Sequence, residues 1–178
     1  PFVLNEFQQL VPEGVDASDY TIGYMWGTTG WLYNPKALED NDIDVSLLNS
    51  WGALTNPVFK NHIYVKDSFR DVYSVLMLYA YKDELAAGTV TKEDLMRDIT
   101  EERVARVEAI LKEAKDNIAG WEVDLGKEEM TKGKMWLNLS WSGDAQWAID
   151  QAEEVGVKLD YVVPEEGSNV WFDGWVIP

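Results

Sequence analysis

The chain has 178 residues, 32 acidic against 15 basic for a formal net charge of −17, and 46% of them are hydrophobic. That length suits one packed domain, the apolar content excludes a disordered chain, and the acidic balance argues against nucleic acid, whose phosphates would be repelled. With no cysteine and a single histidine, His62, the chain lacks a disulfide framework, a thiolate zinc site and most histidine-based chemistry, and no cofactor or metal is expected.

Residues 1–20 read as irregular, and the start at Pro1 without a methionine suggests a processed or excised piece. There is no basic segment followed by a short apolar one, and no apolar run long enough to span a bilayer, so the chain is not expected to be membrane-spanning. Thr21 to Tyr33 is β-rich, with Gly27-Thr28-Thr29-Gly30 marking a bend or close backbone approach. Asn34-Pro35 opens a short helix, and Ser46 to Leu54 reads as another. Ile63-Tyr64-Val65 is a short buried strand that leads into a long helix over Phe69 to Ala86, ended by Gly88.

Thr91-Lys92-Glu93-Asp94 has the form of a capping box. Thr100 caps the next helix, whose stripe of Val104, Val107, Ile110, Leu111 and Ala114 precedes a stop at Gly120. A strand at Trp121–Val123, a helix at Lys127–Thr131, a strand at Met135–Trp141 and a helix at Asp144–Val155 follow. Strands at Val157–Val163 and Val170–Ile177 flank the turn Pro164-Glu165-Glu166-Gly167. The alternation predicts an α/β fold around a mixed sheet.

Two segments pair an aromatic face with a carboxylate: Trp141-Ser142-Gly143-Asp144 and Trp171-Phe172-Asp173. A ring face attracts positive charge and a carboxylate neutralises and hydrogen-bonds an ammonium, so together they favour an organic cation. Trp141 and Asp144 follow a strand, as do Asp67 and Asp71, which is where α/β folds gather ligands. Trp171 and Asp173 share one face of the last strand by its period of two.

Plainer roles stay open. Asp67 and Asp144 also suit helix caps, Asp71 suits the helix dipole, and both tryptophans suit a core. Asp173 fits these least, because a carboxylate among Trp171, Phe172, Trp175 and Val176 is costly to bury unpartnered. Paired carboxylates beside tryptophans also suit a carbohydrate-binding or glycoside-hydrolysing domain, the alternative to cation capture. A calcium site from Asp40, Asp42 and Asp44 lacks the glycine and terminal glutamate of an EF-hand loop.

The ordered landmarks resemble the spermidine/putrescine-binding proteins of polyamine ABC importers. They are Tyr24-Met25-Trp26-Gly27-Thr28-Thr29, Asn34-Pro35, Ser50-Trp51-Gly52-Ala53-Leu54, Asp67 through Tyr73, Trp141 through Asp144, Pro164 through Gly167, and Trp171 through Pro178. The resemblance implies one lobe of a type II periplasmic solute-binding fold, with 1–20 as a lead-in from a first lobe. The second lobe would span 21–178, including crossover strands 21–33 and 170–177.

It also implies roles. Trp141 falls on the stacking tryptophan, Asp173 on an amine-binding carboxylate, Trp171 on the aromatic before it, and Asp71 on a glutamate that contacts a terminal ammonium. Asp144 matches an aspartate of putrescine-type members, and Ser68 stands where spermidine-type members carry an acid; both tilt towards a diamine. The implied function is capture without catalysis, outside the cytoplasmic membrane, with a polyamine ligand and ABC permease subunits as partners. About half of the binding site would lie in this chain.

Overall fold

The computed structural model describes Phe7 and residues 11–176. The expected lead-in at 1–6 and 8–10, and the end of the last strand at Ile177, lie outside the described residues. Two compact units share the chain: a ribbon unit from residues before Thr29 and after Asn169, and a sheet unit, Thr29–Asn169.

In the ribbon unit, the first part of β1 (Ile22–Tyr33) pairs antiparallel with β6 (Val170–Trp175). Met25 sits opposite Asp173 and Gly27 opposite Trp171, with an irregularity between Gly23 and Met25. Aromatic contacts hold the ribbon: Phe7 stacks on Phe172 at 5.1 Å, and Tyr24 meets Trp175 edge-on at 5.2 Å. In the described part of the lead-in, Ala17–Asp19 forms a 3-10 turn, capped where Asp16 accepts the Ser18 N–H at 2.9 Å.

The sheet unit has the strand order β3-β2-β4-β1-β5, with β2 at Ile63–Lys66, β3 at Ile118–Glu122, β4 at Leu137–Trp141 and β5 at Asp160–Val162. β2 runs parallel to β3 and β4, whereas β1 is antiparallel to β4 and β5. Alternation along the strands feeds two cores. Trp31, Ile63, Val65, Leu137 and Leu139 join one. Leu32 packs in the other with Met130, Ala145, Ala148 and Ala152. The first core is covered by α2 (Phe69–Ala80) and α5 (Glu101–Ala114), the second by α6 (Leu125–Thr131) and α7 (Ser142–Glu154).

The mixed α/β class matches expectation, and several boundaries do not. The helix from Phe69 breaks at Tyr81, so that a separate α3 (Lys82–Ala86) follows α2. Tyr81 is buried under the Arg106 guanidinium, 4.2 Å from its ring, and Arg106 in turn binds Glu84 at 2.7 Å. Tertiary packing there outweighs helical continuity. Between α1 (Pro35–Glu39) and β2, the expected helix over Ser46–Leu54 is two 3-10 segments, Val45–Asn49 and Trp51–Thr55. Ser50 separates them with an extended backbone, its hydroxyl turned to the Glu166 carboxylate.

The capping box is present, with Thr91 and Asp94 exchanging bonds of 3.1 Å at the start of α4 (Lys92–Arg97). Gly120 does not stop a helix; it lies inside β3, and α5 ends at Ala114. Asn117, buried, donates to the carbonyls of Leu54 and Asn56 at 2.8 and 2.9 Å, and this pulls the chain early into the sheet.

Candidate functional site

β2 and β4 are parallel neighbours, so their carboxyl ends lie side by side and each opens directly into a helix. β4 ends at Trp141, which also occupies the position before α7. β2 ends at Lys66, followed by Asp67, by Ser68 at the cap position of α2, and by Asp71 in its first turn. Placement of the expected residues beyond strand ends therefore holds within the sheet unit.

Asp71 is 9% exposed and accepts two hydrogen bonds, from Ser68 Oγ at 2.6 Å and from Asn169 Nδ2 at 2.7 Å. Among the described residues no basic side chain pairs with it. The Ser68 hydroxyl therefore bonds Asp71 rather than capping α2. Asp67 is exposed; its N–H donates to the Glu122 carbonyl at 2.8 Å, and the cap position falls one residue later.

Asn169 is placed by a short series of anchors. The turn at Pro164–Gly167 closes with the Gly167 N–H on the Pro164 carbonyl at 2.9 Å. Trp51 Nε1 donates to the Gly167 carbonyl at 2.9 Å, and Glu166 accepts from the Ser50 hydroxyl and the Trp51 N–H. Two of the sequence landmarks are thus bolted to each other. Next along the chain, Ser168 Oγ accepts the Thr29 N–H at 2.9 Å and donates to the Thr29 carbonyl at 2.6 Å. Thr29 lies opposite Trp141 in the β1–β4 register. A bonded path therefore runs from Asp71 through Asn169, Ser168 and Thr29 to the strand pair that carries Trp141.

Trp141 is half-buried, and one of its faces is occupied. Lys66 Nζ lies 4.3 Å from the ring centroid. The same ammonium reaches Asp144 Oδ2 at 3.2 Å, Glu122 Oε1 at 3.3 Å and the Val123 carbonyl. Lys66 is 1% exposed. Asp144 is not a cap; it is in the first turn of α7, and its other oxygen takes Lys127 Nζ at 3.0 Å. The pKa of Lys127 is raised: burial works against its charged form, but the carboxylates of Asp144 and Asp124 outweigh burial.

Glu122 completes the group by accepting the Gly126 N–H at 2.9 Å. That approach needs glycine, since a Cβ at 126 would stand 2.5 Å from Glu122 Cδ and from Asn138 Nδ2. Two ammoniums and two carboxylates thus meet beside Trp141, with exposed Asp124 as a third carboxylate 3.5 Å from Lys127.

In the ribbon unit, Trp171 is half-buried and Asp173 is exposed. The expected cost of burying Asp173 without a partner therefore does not arise. A surface groove of about 520 Å³, lined by Thr131, Trp147, Gln151 and Val155 among others, involves none of the expected ligand residues. Sequence reasoning missed Lys66, Glu122, Lys127 and Asn169. The signal for the first two was available: Lys66 continues an otherwise apolar buried strand, and Glu122 ends the strand beside it.

Residues 5–178 match the family model of the bacterial extracellular solute-binding proteins. A spermidine/putrescine-binding periplasmic protein of Salmonella typhimurium is 28% identical over 180 residues, which cover 98% of this chain and 46% of that protein. Its counterpart in Escherichia coli is 26% identical with the same coverage. A solved structure described as a spermidine/putrescine ABC transporter from Listeria monocytogenes superimposes with a TM-score of 0.70 at 26% identity, covering 92% of this chain and 44% of that one.

The substrate-binding protein of a spermidine/putrescine ABC transporter from Streptococcus pneumoniae gives 0.69 at 24% identity, with the same coverage. The chain spans about half the length of the curated relatives it matches. Its mixed α/β architecture is that of a lobe of a type II periplasmic-binding fold, and the chain belongs to the bacterial extracellular solute-binding proteins.

Proposed function

We propose that the protein carrying this chain is the solute-binding component of a polyamine ABC importer, working on the outer face of the cytoplasmic membrane and delivering its ligand to permease subunits. The observation that carries this reading is Asp71: a nearly buried carboxylate, oriented by Ser68 and Asn169, with no basic partner among the described residues. An alkyl ammonium would supply the missing charge. Trp141 supplies a wall for methylenes near the same strand ends, and the names of the curated relatives point to the same ligand class. Trp171 and Asp173 are the contributions we assign to the ribbon.

Magnitudes limit what one wall can do. An indole contact contributes about 0.5–2 kcal/mol and a charged hydrogen bond about 1.5–3 kcal/mol, so together they reach at most about 5 kcal/mol. Micromolar affinity needs about 8 kcal/mol. Capture therefore requires further contacts around the ligand, as when a two-lobed protein closes on it.

Calorimetry with putrescine, spermidine and a panel of neutral sugars tests the reading. The full-length protein binds an amine and no sugar, and residues 1–178 alone bind it weakly or not at all. Asp71→Asn weakens amine binding by about ten- to hundredfold, the loss of one charged hydrogen bond. An unchanged affinity in that variant, or selective binding of a sugar, removes the polyamine assignment.

A further inference from the structure

The place expected for a ligand ammonium, the Trp141 face with the Asp144 carboxylate, already holds one. Lys66 Nζ sits 4.3 Å from the indole centroid and 3.2 Å from Asp144 Oδ2, on a side chain that is 1% exposed. Lys127 takes the second oxygen of Asp144 at 3.0 Å, so neither oxygen is left without a cation. Glu122, at 3.3 Å from Lys66, makes two buried or half-buried carboxylates against two ammoniums, with the exposed Asp124 a further carboxylate 3.5 Å from Lys127. We propose that Lys66 is a tethered ammonium that fills the cation place made by Trp141 and Asp144, and that it sets ligand choice by leaving this wall for methylenes alone.

This rests on the polyamine reading and names the substrate class within it. An ammonium approaching Trp141 gains little Coulomb attraction from carboxylates already paired with lysines, and it meets the positive charge of Lys66 at the ring. A methylene chain loses nothing there. Asp71 is then the one buried carboxylate at these strand ends that is without a basic partner among the described residues, Asp67 beside it being exposed, so the sheet unit supplies one enclosed ammonium place. The ligand class that fits is a diamine, with one end at Asp71 and its methylenes along Trp141. A triamine that laid a further ammonium on Trp141 would set it against the protein's own.

The test compares putrescine and spermidine on the full-length protein, wild type against Lys66→Met, by calorimetry. Wild type prefers the diamine, and Lys66→Met shifts the spermidine-to-putrescine affinity ratio by about tenfold towards spermidine, the size of one charged hydrogen bond gained. Because Lys66→Met leaves two carboxylates against one ammonium, Lys66→Met/Glu122→Gln is measured alongside it. That double variant removes one charge of each sign, still takes the lysine's positive charge from the indole and from one Asp144 oxygen, and shifts the ratio in the same direction. Lys66→Arg keeps the charge and retains the wild-type preference. A ratio that stays within about threefold of wild type in the folded double variant overturns the role of Lys66 while polyamine binding stands. Failure of the wild type to bind either amine overturns the polyamine reading itself, and the Lys66 proposal with it.

Discussion

Lys66 also makes a prediction about stability that is independent of any ligand. Its ammonium is buried against Glu122 at 3.3 Å, Asp144 at 3.2 Å, the Val123 carbonyl and the Trp141 ring. Lys66→Met leaves Glu122, whose side chain is 4% exposed, and Asp144, at 19%, with only Lys127 for compensation. Breaking a buried pair by removing one partner costs about 3–5 kcal/mol, because an uncompensated charge stays behind. For a domain of this size each 1 kcal/mol moves Tm by about 2–4 °C, so Tm falls by about 6–20 °C.

Glu122→Gln is milder, because Lys66 keeps Asp144 and the amide oxygen can still accept the Gly126 N–H now held at 2.9 Å. Its cost is about 1–2 kcal/mol. The two changes must not add. Once the lysine is gone the Glu122 charge is a liability, so removing it recovers stability, and the cycle shows a coupling of about 1–3 kcal/mol. Urea unfolding of the four proteins, followed by circular dichroism, measures this directly. Additivity within about 0.5 kcal/mol would mean that the quartet is not an electrostatic unit, and would refute the reasoning.

Two further predictions concern the scaffold. A Cβ at Gly126 would lie 2.5 Å from Glu122 Cδ and Asn138 Nδ2, so Gly126→Ala destabilises by about 1–3 kcal/mol despite its smaller unfolded-state entropy. Gly143→Ala is the control: nothing stands within 4 Å of the added atom, in the first turn of α7, and that variant is neutral or slightly stabilising in the same melts. His62 stacks on Trp136 at 3.5 Å, and burial holds its pKa below the ordinary 6.5. The folded state therefore favours the neutral ring, so this contribution to stability is complete above pH 6.5 and is lost as pH falls through the folded pKa. Denaturation from about pH 7.5 to about pH 5 should show a smaller loss for His62→Gln than for wild type; equal slopes would exclude His62 as the source.

Most of the scaffold was legible because its signals are local. The Thr91–Asp94 box, the apolar stripe before Ala114 and the alternation in β1 each follow from spacing along the chain. What stayed hidden is tertiary. Tyr81 breaks a helix whose periodicity runs on past it, because Arg106 from another helix covers its ring. Gly120 reads as a helix stop, yet the chain has already turned at Asn117, tied to carbonyls more than sixty residues earlier in sequence. Asp173, between aromatic neighbours, reads as a buried carboxylate and is exposed, since alternation in a two-stranded ribbon does not enclose a core.

The site shows the same limit in a sharper form. A tryptophan three residues before an aspartate does mark a cation place, and the structure puts a cation there. Nothing local to Trp141-Ser142-Gly143-Asp144 says whose cation it is. That is decided by Lys66, 75 positions before Trp141, which only the parallel pairing of β2 with β4 brings across. Asp71 has the opposite character: its immediate neighbour Ser68 and the distant Asn169 orient it without neutralising it. Two carboxylates that look equivalent along the chain therefore differ in kind. One is spent on the protein's own ammoniums, and the other keeps a charge that an incoming amine can meet. For a binding protein the count of acids near aromatics is a poor guide to ligand charge. The number left after internal lysines have taken their share is the quantity that sets how many ammoniums the wall accepts.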